Sequence, residues 1–298
     1  MNLQDKTGVV IKNYNGYYYV DCDGEVFACK IRGRFKKSRF SLITGDNVVF
    51  NIGNFDGEGS IEDVLPRKNR LNKPAVANVD QIALVFAVKN PDFNQNVFDR
   101  FLVSMHKTNV PIKVIFSKID LLSDVDEMEK IFSLYEKIGY EILKVSIENK
   151  ENLLQIKEIL KDKTTVFAGL SGVGKSTLIN NLYPGLNITT GNVSKKNNRG
   201  RHTTRFSQII AVDGAYLLDT PGFSFTEFEK FNLQDVEQAF LEFAVYREQC
   251  RFNGCLHIAE PSCAIKEALQ KGLLDQTRYE NYLSIINEIK GFDERKFK

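Results

Sequence analysis

Apolar and polar residues alternate along the first 70 positions in short runs, at residues 8–11, 17–20, 26–31 and 47–50, with Gly, Asn and Asp between them. A period of two turns one side of each run inward and the other toward solvent, which is the pattern of a half-buried strand. Several such runs without a helical stretch predict a small β-barrel, and a fifth strand would make it an OB-fold. From about 71 to 228 the rhythm changes. Residues 82–88 and 112–116 are continuously apolar, as strands are when helices cover both faces of their sheet. Helix-like segments at 98–107, 126–138 and 152–160 occupy the intervals, so a mainly parallel, doubly wound sheet is expected, with its site at the carboxyl ends of the strands. Beyond 229 the pattern is helical around a cysteine cluster, and Tyr282, Ile285, Ile286 and Ile289 form one apolar face suited to core packing. The expected fold class is multidomain α/β with domains at 1–70, 71–228 and 229–298.

Composition sharpens this picture only locally. A chain of 298 residues, 43% hydrophobic and 26% charged, is long enough for two or three cores. Its net charge of +2 is too small for a global field, so any nucleic-acid contact must come from a patch. One candidate is the stretch 30–39, where Lys30, Arg32, Arg34, Lys36, Lys37 and Arg39 meet no acid and Phe35 and Phe40 stand nearby. Such a loop neutralises phosphates and offers rings for stacking; a solvated loop is the equally weighted reading. No run of about 18 apolar residues occurs and residues 1–6 lack the apolar core of a signal peptide, so a soluble cytoplasmic protein without a membrane partner is expected. Five cysteines, three of them near one histidine, point to a reducing compartment and a metal site rather than disulfides.

The candidate chemistry is a nucleotide site. Gly169-Leu170-Ser171-Gly172-Val173-Gly174-Lys175-Ser176, followed by Thr177, has the spacing of a phosphate-binding loop between a β-rich run at 164–168 and a helix at 177–182. Its glycines let backbone N–H groups surround phosphate, Lys175 reaches the terminal phosphates and the Ser176 hydroxyl ligates Mg²⁺. Ser117-Lys118-Ile119-Asp120 follows an apolar strand directly. A carboxylate there accepts the N1–H and 2-amino protons of guanine together, a donor pair that adenine lacks. Lys118 would pack along the base, Ser117 stands where Asn is commonest and predicts a weaker tie to the phosphate loop, and Ser146 would touch the guanine carbonyl, with Ile147 in place of the usual Ala. The base motif precedes the phosphate loop, the reverse of an ordinary small GTPase, so the domain reads as circularly permuted. Downstream, Asp219 is placed to hold Mg²⁺ through water and the Gly222 N–H to sense the γ-phosphate, while Thr203 or Thr204 would close over the metal. Phe223 stands where Ras-like enzymes have the water-positioning Gln, which predicts slow intrinsic hydrolysis. His202 is the nearest polar substitute, or else a loop histidine that contacts the partner or nothing. The catalytic expectation therefore rests on Lys175, His202, Thr203 and Thr204.

Cys250, Cys255, His257 and Cys263 supply three thiolates and an imidazole within fourteen residues. These donors suit one tetrahedral Zn²⁺ at ~2.0–2.3 Å, and four protein ligands make the site structural. Cys22 and Cys29 are expected to pack in the barrel. The order of motifs, Gly200-Arg201-His202-Thr203-Thr204, Asp219-Thr220-Pro221-Gly222 and the Cys-x₄-Cys-x-His-x₅-Cys spacing together resemble the ribosome small-subunit-dependent GTPase A (RsgA) family across nearly the whole chain, Asn78-Val79-Asp80-Gln81 included. That resemblance implies an N-terminal OB-fold, a permuted GTPase domain and a C-terminal zinc domain. It also implies a late-assembly factor that hydrolyses GTP to GDP on the 30S subunit, in contact with 16S rRNA and as a monomer. An RNA-binding P-loop nucleotidase unconnected with the ribosome is the alternative. In the permuted order the segment after Asp219 ends the GTPase domain, so loss of γ-phosphate is expected to be felt in the C-terminal helices.

Overall fold

The computed structural model describes residues 5–31, 41–52, 58–123, 125–186, 188, 208–219 and 231–296, with side chains in the last helix up to residue 291. The alternating N-terminal runs form β1 (Lys6–Tyr14), β2 (Tyr17–Cys22), β3 (Glu25–Ile31), β4 (Asn47–Ile52) and β5 (Gly59–Val64). They close into a barrel in the order β1-β2-β3-β5-β4, antiparallel except for the β3–β5 pair. Val10, Val20, Cys29, Val48, Phe50 and Ile61 fill it. Burial pushes the Cys29 thiol up to about 12, in keeping with a packing role. The fifth strand supplies the count that an OB-fold needs.

A short hairpin, β6 (Arg70–Asn72) and β7 (Ala75–Ala77), leads from the barrel into the second domain. There β8 (Gln81–Ala87), β9 (Ile112–Ser117), β10 (Glu141–Val145), β11 (Thr164–Ala168), β12 (Ile210–Val212) and β13 (Ala215–Asp219) form one sheet in the order β10-β9-β8-β11-β13-β12. All pairs are parallel except β12 with β13. All of β8 is buried because its alternate residues serve two cores. Ile82, Leu84 and Phe86 face α1 (Gln95–His106) and α2 (Val125–Ile138), whereas Ala83, Val85 and Ala87 face α3 (Leu153–Leu160) and α4 (Lys175–Leu182). The expected helix at 98–107 begins three residues earlier, since the Asn94 side chain accepts from the Val97 N–H at 3.0 Å and caps the first turn.

The C-terminal region adds α5 (Leu233–Ala239), a 3₁₀ turn (Leu241–Phe243), α6 (Ala244–Arg247), α7 (Ala264–Gln270) and α8 (Gln276–Lys296). The stripe of Tyr282, Ile285, Ile286 and Ile289 is buried in the core of this region, which also takes in Val103 of α1. No described helix is long and apolar enough to cross a membrane.

Two seams join the three parts. Against the barrel, the Ala77 N–H donates to Thr44 O at 2.9 Å, the Asn78 amide to Gly45 O at 2.9 Å and the Ile209 N–H to Ile11 O at 2.9 Å, while the Tyr216 hydroxyl donates to Asp21 Oδ2 at 2.7 Å. Against the C-terminal helices, Asp99 of α1 accepts from Arg278, from Asn281 at 2.7 Å and from Tyr135 at 2.5 Å. Arg278 is 2% exposed and also forks onto Glu242 at 2.6 and 2.9 Å.

Candidate functional site

The phosphate loop leaves β11 at Gly169, whose φ of +140° and position against the chain admit no side chain: a Cβ would lie 2.1 Å from Val85 O. Gly172 and Gly174 also adopt positive φ, and Gly174 directly precedes α4, so the loop delivers its N–H groups to the N-terminus of that helix. Leu170 packs between the two cores and Val173 is buried, anchoring the turn from beneath, while Ser171 is exposed. Lys175 lies on the first turn of α4 with its ammonium donating to Gly169 O at 2.9 Å and Leu170 O at 2.8 Å. Burial lowers its pKa and the Asp219 carboxylate partly opposes this, so the amine is a charge in want of anions. The Ser176 hydroxyl donates to Asp219 Oδ2 at 2.5 Å, bringing the two expected magnesium-side groups together from α4 and β13. Thr177 sits in the same first turn.

The base-reading segment approaches the loop from β9. Lys118 stands at φ +60°, and its ammonium donates to Gly172 O at 2.9 Å and to Asn90 O. Ser117, fully buried, donates to Val173 O at 2.6 Å with Phe86 O 3.3 Å away. The tie expected to be weakened by serine is thus made, at a distance typical of a good O–H···O bond. Asp120 accepts from the Ser146 hydroxyl at 2.5 Å, and Ser146 in turn accepts from the Asn149 N–H at 3.0 Å. A carboxylate held in this way keeps a free lone pair on each oxygen for a pair of N–H donors, and Ile147 packs beneath against the second core. Asn90 is a participant that sequence reasoning missed; the Asn-Pro turn at 90–91 was its only signal. His202, Thr203, Thr204, Gly222 and Phe223, and the basic stretch beyond Ile31, lie outside the described residues.

In the C-terminal region the donor atoms of Cys250, Cys255, His257 and Cys263 lie within 4.8 Å of one another. His257 Nδ1 is 3.3 Å from Cys263 Sγ and 3.6 Å from Cys250 Sγ, and those two sulfurs are 4.0 Å apart. Tetrahedral bonds of ~2.0–2.3 Å separate ligand atoms by roughly 3.3–3.8 Å; the two histidine–sulfur distances fall in that range, and the whole set, within 4.8 Å, is of a size to hold one metal ion. The loop carrying it is fixed from within, where Glu260 accepts from the Leu256, Ile258 and Ala259 N–H groups, and from outside, where the Tyr279 and Tyr282 hydroxyls donate to His257 O and Leu256 O at 2.6 and 2.7 Å.

Comparison with known proteins agrees with this arrangement. The profile of the RsgA GTPase family matches residues 64–229, and that of the RsgA N-terminal domain matches residues 7–61. The small ribosomal subunit biogenesis GTPase RsgA of Geobacillus thermodenitrificans is 42% identical over 291 residues, covering 97% of this chain and 98% of its own length. The protein of the same name from Carboxydothermus hydrogenoformans is 42% identical over 289 residues, covering 97% and 99%. Among solved structures, YloQ, described as a circularly permuted GTPase, superposes with a TM-score of 0.81 at 35% identity over 97% of this chain and 96% of that one. YjeQ from Thermotoga maritima superposes with 0.83 at 36%, over 97% and 99%. With a permuted nucleotide domain, a closed five-stranded barrel and near-full-length relatives in agreement, the chain belongs to the RsgA GTPase family.

Proposed function

We propose that this chain acts as a late maturation factor of the 30S ribosomal subunit, hydrolysing GTP to GDP and phosphate when docked there. The observation that carries the nucleotide half is the convergence on one loop: Ser117 and Lys118 from the base-reading segment both bond the phosphate loop, and Ser146 aims Asp120. The ribosomal half is supported by the names of the near-full-length relatives.

In this reading Asp120 selects guanine and the loop 169–177 cradles the phosphates. Lys175 exchanges its two carbonyl partners for phosphate oxygens, and its buried charge is thereby satisfied. Ser176 and Asp219 would hold Mg²⁺, which supplies charge neutralisation at the phosphates. Thr203 or Thr204 would close over that site, Gly222 would sense the terminal phosphate and His202 would position water. The Cys250, Cys255, His257 and Cys263 cluster is read as a structural zinc site. The parts divide at 1–70, 71–228 and 229–298, the barrel's basic loop meets 16S rRNA, and the protein works as a cytoplasmic monomer. Purified 30S subunits should accelerate GTP turnover by this protein while free 50S subunits should not, and Lys175→Ala should abolish both basal and stimulated rates. Stimulation by arbitrary RNA to the same degree would favour a nucleotidase unconnected with the ribosome.

A further inference from the structure

The His257 ring is 1% exposed and its two nitrogens face opposite ways. Nδ1 points at the cysteine sulfurs, while Nε2 lies 3.2 Å from Glu237 Oε1. A nitrogen that ligates a metal carries no proton, so the ring's proton belongs on Nε2, where Glu237 is the acceptor. Glu237 itself is 4% exposed on α5, twenty residues away in sequence, and is held in place by the helix rather than by the metal loop. From this geometry we propose that Glu237 is a positioning residue of the metal centre, fixing the tautomer and aim of His257 and thereby setting the affinity for the ion. The proposal rests on the reading of the cysteine and histidine cluster as a zinc site.

Charge and packing support the same role. Three thiolates and one divalent ion carry a net charge of −1, and the Glu237 carboxylate would bring it to −2. Arg247 Nε lies 3.2 Å from the same Glu237 oxygen without an aligned hydrogen bond, so the guanidinium acts there as a balancing charge. Phe243 packs on the imidazole in a T-shaped contact, with centroids 5.5 Å apart. A carboxylate that accepts from the far nitrogen of a ligating histidine raises its basicity and prevents ring rotation, and losing such a partner typically weakens metal binding by ~10–100-fold.

The test uses full-length protein loaded with one equivalent of zinc and titrated with a chromophoric chelator. Glu237→Gln keeps the size and an acceptor oxygen but removes the charge, and Glu237→Ala removes the acceptor as well. Zinc affinity should fall by ~10-fold in the first and by up to ~100-fold in the second, with circular dichroism at saturating zinc unchanged. In the zinc-loaded wild type, nitrogen NMR should find the His257 proton on Nε2, a readout that requires no variant. Wild-type affinity in both substitutions, or a proton on Nδ1, would overturn the proposal alone. Wild-type protein that binds no zinc would overturn the zinc reading and this proposal together.

Discussion

The two seams of the molecule are built from different materials. Against the barrel, the central domain is joined chiefly through backbone acceptors, Thr44 O and Ile11 O taking backbone N–H groups and Gly45 O the Asn78 side-chain amide, with the Tyr216–Asp21 bond as one made between two side chains. Against the C-terminal helices, it is joined by side chains gathered on one face of α1, where Asn96, Asp99, Arg100 and Val103 recur at helical spacing. A backbone seam fixes geometry while asking little of residue identity, except where the chains approach too closely for a side chain. A charged seam concentrates its strength in a few groups, each of which leaves the others stranded when removed.

The contrast predicts a ranking of substitutions. Arg278→Met should have the largest effect, because Asp99 would stay fully buried, and Glu242 half-buried, without their cation; breaking such a pair costs about 3–5 kcal/mol. Chemical denaturation should show the C-terminal transition moving to lower denaturant, and a loss below about 1 kcal/mol would mean that apolar packing, through Val103 and its neighbours, carries this seam instead. Gly45→Ala comes next. Gly45 has a φ of +88° and its Cβ would lie 2.2 Å from Ala77 O, so the variant needs both a left-handed alanine and a displaced strand. Together these should cost roughly 2–4 kcal/mol, read as separation of the barrel's unfolding from that of the central domain. Tyr216→Phe is the mildest. It removes the partner of Asp21 Oδ2 while Oδ1 has none among the described residues, for a loss of about 1–2 kcal/mol in thermal or denaturant unfolding. A Tyr216 effect larger than that of Gly45 would invert the ranking and make the barrel seam a side-chain seam as well.

What could be read from the sequence divides along similar lines. Continuous apolar runs announced β8 and β9, the glycine spacing announced the phosphate loop, and the cysteine spacing announced a cluster that the fold does bring together. These are local signals, in which neighbouring residues suffice. β5 was missed because Glu62 and Asp63 dilute its pattern; Glu62 is accommodated by the Asn51 amide at 3.0 Å on the paired strand. β12 is three residues long, too short for a period to register. Arg278 and Asp99 stand 179 residues apart, and nothing in either neighbourhood marks one as the other's partner. Glu237 was hidden for the same reason. Asn94 carried a usable capping signal, so the early start of α1 was legible in principle.

The strand order also has a consequence for the birth of the protein. β8 pairs with β9, which lies 25 residues downstream as counted from Ala87 to Ile112, but its other neighbour, β11, ends only at Ala168. The count from Ala87 to Ala168 is 81 residues, which at a synthesis rate of ~5–20 residues per second is roughly 4–16 s. Throughout that interval a strand that is wholly buried in the finished sheet has one edge unpaired, and an unpaired edge is a template for another extended chain. An ordinary gene order would have made the phosphate strand first and had it waiting. Permutation thus leaves this sheet to be completed by a strand made 81 residues later, as counted from Ala87 to Ala168.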